Sequence, residues 1–285
     1  MIPLRAPGAP CPPARGEVLA GRFAIERPIG EGSFGWVFAA TDLAERVPRR
    51  VAIKVLRHEH AAQLRMLRRF EQRELALLRR VHAAAPAPNV VRALSPALFS
   101  HGGLPFLVLE LIEGPSLREV LDARGPLPPC EARRIGAGLA RGLASIHAAQ
   151  GVHRDLKPSN IRLRAGGEPV ILDLGIARAL WLTQETTASA PGWMTPRYAA
   201  PEQLAGGPAS PASDVYALGL LLHEMLKGEV PLAGQTLADT REARVSRDTP
   251  DPRALGSLLP GDVAALIRRC LARDPARRPA AADVA

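Results

Sequence analysis

The sequence predicts an α+β protein with two lobes: an N-terminal five-stranded antiparallel sheet carrying one helix, and a mainly helical C-terminal lobe. Two observations predict this division. Apolar residues alternate at strand spacing in several segments before residue 113, whereas from Gly114 onward they recur at helical spacing. The chain has 285 residues, of which 47% are hydrophobic, so it can bury a substantial core.

The N-terminal lobe is predicted to span residues 22–113. Its five strands are expected at residues 22–29, 35–41, 50–56, 90–99 and 105–112. Between the third and fourth strands, residues 60–81 place their apolar side chains on one face of a helix. The turn His101-Gly102-Gly103 is expected to join the last two strands as a hairpin.

The C-terminal lobe is predicted to span residues 114–285. Ser116 and Glu119 match a capping box that opens a short helix. Longer helices are expected at residues 129–149, 213–227 and 261–273, with short strands at 160–163 and 170–172. Ser213 is the expected N-cap of the second of these helices. Residues 280–285 have the pattern of a helix cut off before any stop signal, so we expect the native chain to continue beyond residue 285.

The first 21 residues are rich in proline and contain no apolar signal-peptide core, so they are predicted to be a disordered leader. No apolar run in the sequence approaches the ~18 residues needed to span a bilayer. We therefore expect this segment to be cytoplasmic, with membrane anchoring only through sequence beyond residue 285.

The chain is basic, with 37 Lys and Arg against 28 Asp and Glu. The arginines lie beside acidic residues rather than in one patch, so no nucleic-acid partner is expected. The three cysteines are far apart and lack metal-ligand spacing, which is typical of structural thiols in a reducing compartment. Lysine occurs only at Lys54, Lys157 and Lys227, which makes each of them a candidate for a specific role.

A glycine-rich run, Gly30-Glu31-Gly32-Ser33-Phe34-Gly35, follows the first predicted strand. A helix should begin directly after a dinucleotide-binding loop of this pattern, but the strand-like Trp36-Val37-Phe38 follows instead. A strand–loop–strand hairpin can fold over phosphates, because glycine lets the backbone approach them closely. The run lacks the G-K-[ST] ending of a Walker-type loop, which excludes that class.

Val51-Ala52-Ile53-Lys54 places a lysine within an apolar strand. One interpretation is an edge lysine that faces solvent. The small apolar residues on both sides argue against it, since they would leave an ammonium group in need of a partner. Glu74 on the following helix is the expected partner, with Glu71 one turn earlier as the alternative.

The segment 153–160, His-Arg-Asp-Leu-Lys-Pro-Ser-Asn, concentrates polar groups just after a predicted helix. Asp173-Leu174-Gly175 begins 18 residues after Asp155, directly after an apolar run. Asp155 can accept a proton and Lys157 can neutralise phosphate charge. Asn160 and Asp173 offer hard oxygen ligands for Mg²⁺. Phosphoryl transfer requires such a set of groups and little covalent chemistry.

With these motifs in this order, the chain resembles a eukaryotic-type (Hanks-type) protein kinase domain and is most like the bacterial Ser/Thr branch. The similarity runs from about Phe23 to Ala285. Three further motifs carry it: Ala200-Pro201-Glu202, Asp214 in D-V-Y-A-L-G, and Arg278 in A-R-R-P. The resemblance implies the two-lobed kinase fold, with ATP as phosphate donor, Mg²⁺ or alternatively Mn²⁺ as metal, and protein Ser/Thr hydroxyls as acceptors.

The resemblance also implies which residues contact the nucleotide. They would be Ile29, Gly30, Glu31, Gly32, Ser33, Phe34, Gly35, Val37, Ala52, Lys54, Glu74, Leu109, Glu110, Ile112 and Leu163. Lys54, paired with Glu74, would hold the α- and β-phosphates. Leu109 would line the back of the adenine pocket, and Glu110 and Ile112 would supply hinge backbone hydrogen bonds.

Catalytic roles are implied for four residues. Asp155 would orient the substrate hydroxyl and accept its proton, and Lys157 would contact the γ-phosphate. Asn160 and Asp173 would bind Mg²⁺.

Structural roles are implied for four others. Glu202 would pair with Arg278, and Asp214 would brace the catalytic loop. His153 would be structural rather than a base.

Regulation is expected in the segment between Asp173 and Glu202. In related kinases an arginine at the position of Arg154 receives a phosphate from this segment. The hydroxyls available there are Thr183, Thr186, Thr187 and Ser189, with Thr186 or Thr187 the expected autophosphorylation site. The alternative is a solvated loop whose hydroxyls do nothing. Thr195, in Met194-Thr195-Pro196-Arg197-Tyr198, fits the loop that docks Ser/Thr substrates. We exclude it as the switch, because the family uses its hydroxyl beside the catalytic loop.

Two residues depart from the family pattern without removing a chemical group: Leu174 stands where phenylalanine is commoner, and Met194 replaces a usual glycine. The expected partners are protein substrates and a second copy of the chain for trans-autophosphorylation. The alternative function is a nucleotide-binding pseudokinase scaffold. Such proteins typically lose the strand lysine or one of the two aspartates, and this chain keeps Lys54, Asp155 and Asp173.

Overall fold

The computed structural model describes residues 11–32, 35–44, 47–56, 61–174, 196–246 and 261–285. Two compact units divide the chain. The first comprises the residues up to Arg79 together with Val91–Leu111, and the second comprises Arg80–Val90 and Ile112–Ala285. Across the described ranges, no helix combines the length and the apolar character that a membrane crossing requires.

Residues 80–90 belong to the second unit, although the sequence pattern places them in the N-terminal lobe. Asn89 explains this assignment, because its side-chain Nδ2 donates to the carbonyl of Pro169 at 2.8 Å. The carbonyl of Asn89 also accepts the N–H of Ile171 at 2.8 Å. The other boundary, at residues 111/112, lies two residues before the predicted one at 113/114.

The first unit contains an antiparallel sheet that has six strands within the described residues, in the order β1-β2-β3-β4-β6-β5. The elements are β1 (Val18–Leu19), β2 (Phe23–Gly32), β3 (Gly35–Asp42), β4 (Arg49–Leu56), helix α1 (Ala61–Ala84), β5 (Phe99–His101) and β6 (Leu104–Glu110). The end of α1, from Arg80 onward, belongs to the second unit. The predicted α+β class is therefore confirmed.

Two details of the sheet differ from the prediction of five strands. The sixth strand is β1, which lies within the expected disordered leader and is anchored by Leu19, only 1% exposed and paired with Phe23. Of the strand expected over residues 90–99, only Phe99 belongs to a named strand, β5. Ala93 forms only an isolated bridge with Leu109. Pro96 contributes to this shortening because it has no N–H for a strand ladder.

One face of this sheet forms the core of the first unit. The core side chains are Leu19, Phe23, Ile25, Trp36, Phe38, Ala40, Val51, Ile53, Val55, Phe106 and Val108. Along β4, Val51, Ile53 and Val55 alternate with Ala52 and Lys54, because successive side chains of a strand point to opposite faces. Ala52 and Lys54 therefore lie on the face opposite the core.

The second unit consists mainly of helices. They are α2 (Leu117–Arg124), α3 (Pro129–Ala148), α4 (Pro201–Leu204), α5 (Pro211–Lys227), α6 (Leu237–Ser246), α7 (Gly261–Cys270) and α8 (Ala281–Val284). Strands β7 (Ile161–Leu163) and β8 (Pro169–Ile171) pair as a hairpin. The predicted capping box of α2 is present, since Glu119 N–H donates to Ser116 Oγ and Ser116 N–H donates to Glu119 Oε2. The expected buried face of α3 is also present, with Ile135, Leu139, Leu143 and Ile146 all 0% exposed.

Two helices of the second unit differ from the sequence prediction. Helix α5 begins at Pro211, two residues before the predicted N-cap Ser213, because proline suits the first turn of a helix. Ser213 donates its hydroxyl to Glu202 Oε1 at 2.6 Å instead. Helix α6 has no counterpart in the prediction.

Candidate active site

The lysine of β4 forms an ion pair. Lys54 Nζ lies 3.0 Å from Glu74 Oε2, and the two side chains are 13% and 3% exposed. Burial of an ammonium group requires a partner of this kind. Glu74 is the partner that the sequence favours. The alternative, Glu71, lies one turn earlier, where α1 is described by its backbone alone.

Strand register places several of the predicted nucleotide-contacting residues side by side. Val37 on β3 pairs with Gly30 on β2 and with Lys54 on β4. Directly paired residues of an antiparallel sheet present their side chains on the same face, so Val37 and Lys54 share the face opposite the core. Ala52 pairs with Leu109 and lies two residues from Lys54, so this second pair shares that face as well.

The glycine-rich run is the turn of the β2–β3 hairpin. Gly32 pairs with Gly35 at the end of the hairpin, and Ser33 and Phe34 between them lie outside the described residues. Only glycine fits at position 35, because a Cβ there would lie 1.9 Å from the carbonyl oxygen of Val55. The predicted strand–loop–strand arrangement is therefore present. Ile29 and Glu31 lie at the same end of β2.

The residues expected at the hinge lie at the end of β6 and after it. Leu109 and Glu110 end β6, and the N–H of Glu110 donates to the carbonyl of Arg92 at 2.8 Å. In the second unit, Ile112 is 3% exposed and Leu163 on β7 is 5% exposed. The N–H of Glu110 is thus engaged with the chain's own backbone.

In the second unit, the segment after α3 brings three predicted catalytic side chains together. Lys157 Nζ lies 2.7 Å from Asp155 Oδ2. Asn160 Nδ2 donates to the backbone carbonyl of Asp155 at 2.9 Å and lies 3.3 Å from its Oδ2. A 3₁₀ turn over Pro158–Asn160 folds the chain so that the amide returns to Asp155. The carboxylate, ammonium and amide therefore form one cluster.

A backbone hydrogen bond beside the β7–β8 hairpin links Asn160 to the residue that precedes Asp173. Leu172, which precedes Asp173, donates its N–H to the carbonyl of Asn160 at 2.8 Å. Asp173 has a φ angle of 44° and Arg154 one of 72°, both in the left-handed region. Such conformations cost a non-glycine residue about 1–3 kcal/mol and cluster at functional sites.

Asn160 and Asp173 fit the Mg²⁺ that the family resemblance implies. Because Nδ2 of Asn160 donates to Asp155, Oδ1 is the acceptor atom of this amide. Together with the Asp173 carboxylate it offers two hard oxygens, and Mg²⁺ is commonly bound by one or two protein oxygens with phosphates and water. No group of three or more His, Cys, Asp or Glu residues in the described ranges forms a metal site of its own.

Asp214 on α5 fixes the backbone of His153 and Arg154, which directly precede Asp155. Its buried carboxylate accepts the N–H groups of His153 and Arg154, each at 2.8 Å. A ring nitrogen of His147 lies 2.9 Å from Asp214 Oδ2. His153 is 0% exposed, and its Nε2 lies 2.9 Å from the carbonyl oxygen of Leu172, an arrangement that suits a structural histidine.

Glu202 and Arg278 form a bidentate ion pair. Arg278 Nη1 and Nη2 donate to the two carboxylate oxygens of Glu202 at 2.7 and 2.8 Å. Burial alone would raise the pKa of Glu202, but the hydrogen bonds from Arg278 and Ser213 outweigh it and hold this pKa below its ordinary value. This pair ties α4 to the chain after α7.

One buried carboxylate, Glu224, was not found by sequence reasoning. Glu224 on α5 is 1% exposed and accepts the hydroxyl of Tyr198 and Nη1 of Arg118, each at 2.8 Å. Burial and the negative charge of Glu224 raise the pKa of the Tyr198 phenol, so its hydroxyl stays protonated and donating. The available signal was a glutamate inside the apolar run of a predicted helix.

The structure thus places the predicted residues in two groups, one in each unit. The predicted regulatory residues Thr183, Thr186, Thr187 and Thr195 lie outside the described residues.

The fold and these two groups of residues define a protein kinase domain. The family model for the protein kinase domain matches residues 23–285, so the chain belongs to this family. The match supports the Hanks-type assignment that the motifs predict.

Curated bacterial proteins with similar sequences indicate the branch. The serine/threonine-protein kinase PkaA of Streptomyces coelicolor is 36% identical over 284 residues, which cover 94% of this chain and 49% of that protein. PrkC of Bacillus subtilis is 35% identical, with 92% of this chain and 39% of that protein covered. PknL of Mycobacterium tuberculosis is 35% identical, with 93% and 64% covered. The chain is therefore similar to the bacterial Ser/Thr branch, and it spans between about two fifths and two thirds of the length of these relatives.

Proposed function

We propose that this chain transfers the γ-phosphate of ATP to Ser and Thr hydroxyls of proteins and is an active kinase rather than a pseudokinase scaffold. The observation that carries the proposal is the cluster of Asp155, Lys157 and Asn160, in which Lys157 Nζ and Asn160 Nδ2 lie 2.7–3.3 Å from oxygen atoms of Asp155. A scaffold that only binds nucleotide has no need of a carboxylate and an ammonium held in such contact.

Asp155 is the proposed proton acceptor. Its carboxylate would orient the acceptor hydroxyl and remove its proton as the bond to phosphorus forms, a contribution of about 10²–10⁴ in rate. Lys157, which forms an ion pair with Asp155, would place its positive charge on the transferred phosphoryl group. The ammonium of Lys157 would then act on the phosphoryl group, and the carboxylate of Asp155 on the acceptor hydroxyl.

Lys54 and the metal ligands are proposed to position the phosphate donor. Lys54, held by Glu74, would contact the α- and β-phosphates, and charge-assisted bonds of this kind are stronger than neutral ones. Mg²⁺, or alternatively Mn²⁺, would neutralise the charge that develops on the phosphates. Asn160 Oδ1 and the Asp173 carboxylate are the residues that would hold it.

Autophosphorylation by a second copy of the chain is part of the proposal, as is a role in signalling. The relatives are named as Ser/Thr protein kinases, which supports protein substrates. We place the domain in the cytoplasm, because that compartment holds its co-substrate ATP.

The deciding experiment incubates the purified chain with γ-labelled ATP, Mg²⁺ and dephosphorylated casein. Label on casein serine or threonine, absent with Asp155→Asn, is the expected result. Tight nucleotide binding with no label on casein or on the chain itself would favour the pseudokinase scaffold instead.

A further inference from the structure

Arg244 on helix α6 is a buried cation. It is 1% exposed and ranks among the largest fully buried side chains of the described residues. Its guanidinium lies 6.0 Å from the ring centroid of Tyr216. Burial lowers the pKa of Arg244 to about 10, which is still far above neutral, so the group remains charged at working pH.

The guanidinium nitrogens of Arg244 reach backbone carbonyls. Nη1 donates to the carbonyl of Ala199 at 2.6 Å, and Nη2 donates to the carbonyl of Arg197. Two carbonyls that flank Tyr198 are therefore held by one rigid planar group. Because guanidinium presents its donors in a fixed fork, such a pair of bonds restricts the intervening backbone more than a single bond would.

The segment held in this way lies between Thr195 and the Ala200-Pro201-Glu202 motif. The side chain of Tyr198, within this segment, is anchored on Glu224, and that of Glu202, just after it, is anchored on Arg278. Arg244 acts instead on the backbone carbonyls of Arg197 and Ala199. Desolvating a guanidinium is costly, so a helix that served only to pack would be more stable with an apolar residue at this position.

We propose that Arg244 is a positioning residue that fixes the backbone of Arg197–Ala199 for docking of the protein substrate. This inference rests on the proposed kinase function, since only a protein kinase would use the loop that contains Thr195 to dock a protein substrate. The contacts given above for Arg244 are with the carbonyls of Arg197 and Ala199 and with the ring of Tyr216. The loss of Arg244 should therefore affect recognition of the protein substrate and leave ATP recognition intact.

The test compares Arg244→Met and Arg244→Lys with a matched control, Arg241→Met. Arg241 lies on the same helix, less than one turn away, and is exposed. KM and kcat are measured separately for dephosphorylated casein and for ATP. Hydrogen exchange of peptides covering residues 196–206 is measured in parallel against peptides from α3, which reports on the backbone without requiring activity.

The expected result is a rise of about tenfold or more in the KM for casein with Arg244→Met, while the KM for ATP stays within about twofold. Exchange of residues 196–206 should accelerate while α3 keeps its protection. Arg244→Lys should give an intermediate change, because an ammonium can keep one carbonyl but not span both, and Arg241→Met should behave as wild type.

Three outcomes would overturn the inference: an unchanged KM for casein, a parallel rise in both KM values, or exchange that accelerates equally in α3. If Arg244→Met does not fold, Arg244→Lys at a temperature where it remains folded decides the question by the same readouts. If wild type does not phosphorylate casein, the proposed function fails separately, and hydrogen exchange still shows whether Arg244 fixes the segment.

Discussion

Lys157 Nζ lies 2.7 Å from Asp155 Oδ2, so the proposed proton acceptor forms an ion pair with the ammonium that would contact the phosphate. The carboxylate is 16% and the ammonium side chain 21% exposed, which leaves both accessible to substrate.

Asp155→Asn should leave nucleotide binding nearly unchanged and reduce phosphoryl transfer by ~10²-fold or more. The amide cannot accept the hydroxyl proton, whereas the phosphate-contacting residues remain. Nucleotide affinity by titration and initial rates with labelled ATP measure the two effects. Asp122→Asn, an exposed aspartate on α2, is the control and should behave as wild type. Transfer by Asp155→Asn at the wild-type rate would show that the catalytic segment is wrongly assigned.

Lys54→Met should raise the KM for ATP and lower kcat, because a neutral side chain cannot contact the phosphates. Glu74→Gln should have the same effect in weaker form, since the amide holds the ammonium less firmly than a carboxylate at 3.0 Å. Glu71→Gln is the matched control on the same helix and should change little. Steady-state kinetics with ATP as the varied substrate separate the three variants. A larger loss from Glu71→Gln than from Glu74→Gln would contradict the pairing.

The ion pair of β4 illustrates what the sequence alone could predict. An ammonium within an apolar strand needs a carboxylate, and the following helix offers two of them one turn apart, so the choice was narrow. Likewise, the sequence predicts the cluster of Asp155, Lys157 and Asn160 because all three lie within six positions of the chain. Local chemistry of this kind can be read from spacing.

Contacts between distant parts of the chain could not be predicted in this way. Arg118 and Glu224 are 106 positions apart, and Arg244 and Ala199 are 45 apart, so no periodicity relates them. Strand β1 has only two residues, and its pairing with β2 rather than its own pattern makes it a strand. Helix α6 was missed because its buried residues include Thr240 and Arg244, which pattern analysis assigns to an exposed face.

Tyr198→Phe should lower the free energy of unfolding by about 1–2 kcal/mol, because it removes the hydroxyl that donates to the buried Glu224 carboxylate. Urea denaturation at neutral pH measures the change. The chain's other tyrosine, Tyr216, provides the matched control: Tyr216→Phe keeps the ring that lies under Arg278 and should cost less. Equal costs for the two variants would argue that the Tyr198–Glu224 bond contributes little to stability.

Phosphatase-treated protein should be slow and should regain its rate on incubation with ATP. The phosphate expected on Thr186 or Thr187 adds about −1.5 to −2 charges, which can order a segment by bonding to arginine. Arg154, whose backbone is fixed by Asp214, is the proposed receiver. Rate recovery and phosphosite mapping are compared for wild type and the double variant Thr186→Ala/Thr187→Ala. Full recovery of the double variant, with no phosphate on residues 183–189, would refute this control mechanism.

Glu202→Gln should destabilise the protein in a pH-dependent manner. The variant keeps the shape of the side chain but leaves Arg278, whose side chain is 0% exposed, without its anionic partner. Breaking a buried pair in this way costs about 3 kcal/mol at neutral pH. The pKa of Glu202 in the folded protein lies below its ordinary value of 4.5, so the stabilisation is fully present above that value. It is lost as the pH falls through the folded pKa, because protonation then removes the charge in wild type as well.

The difference in unfolding free energy between wild type and Glu202→Gln should therefore be constant from pH 7 to about 5 and shrink below 4.5. Urea titrations at several pH values across this range measure it. Glu229→Gln, an exposed glutamate just after α5, is the control and should show little difference from wild type at any of these pH values. A Glu202→Gln difference that stays constant down to pH 3.5 would mean that the carboxylate charge does not contribute, and that the hydrogen-bond geometry alone holds Arg278.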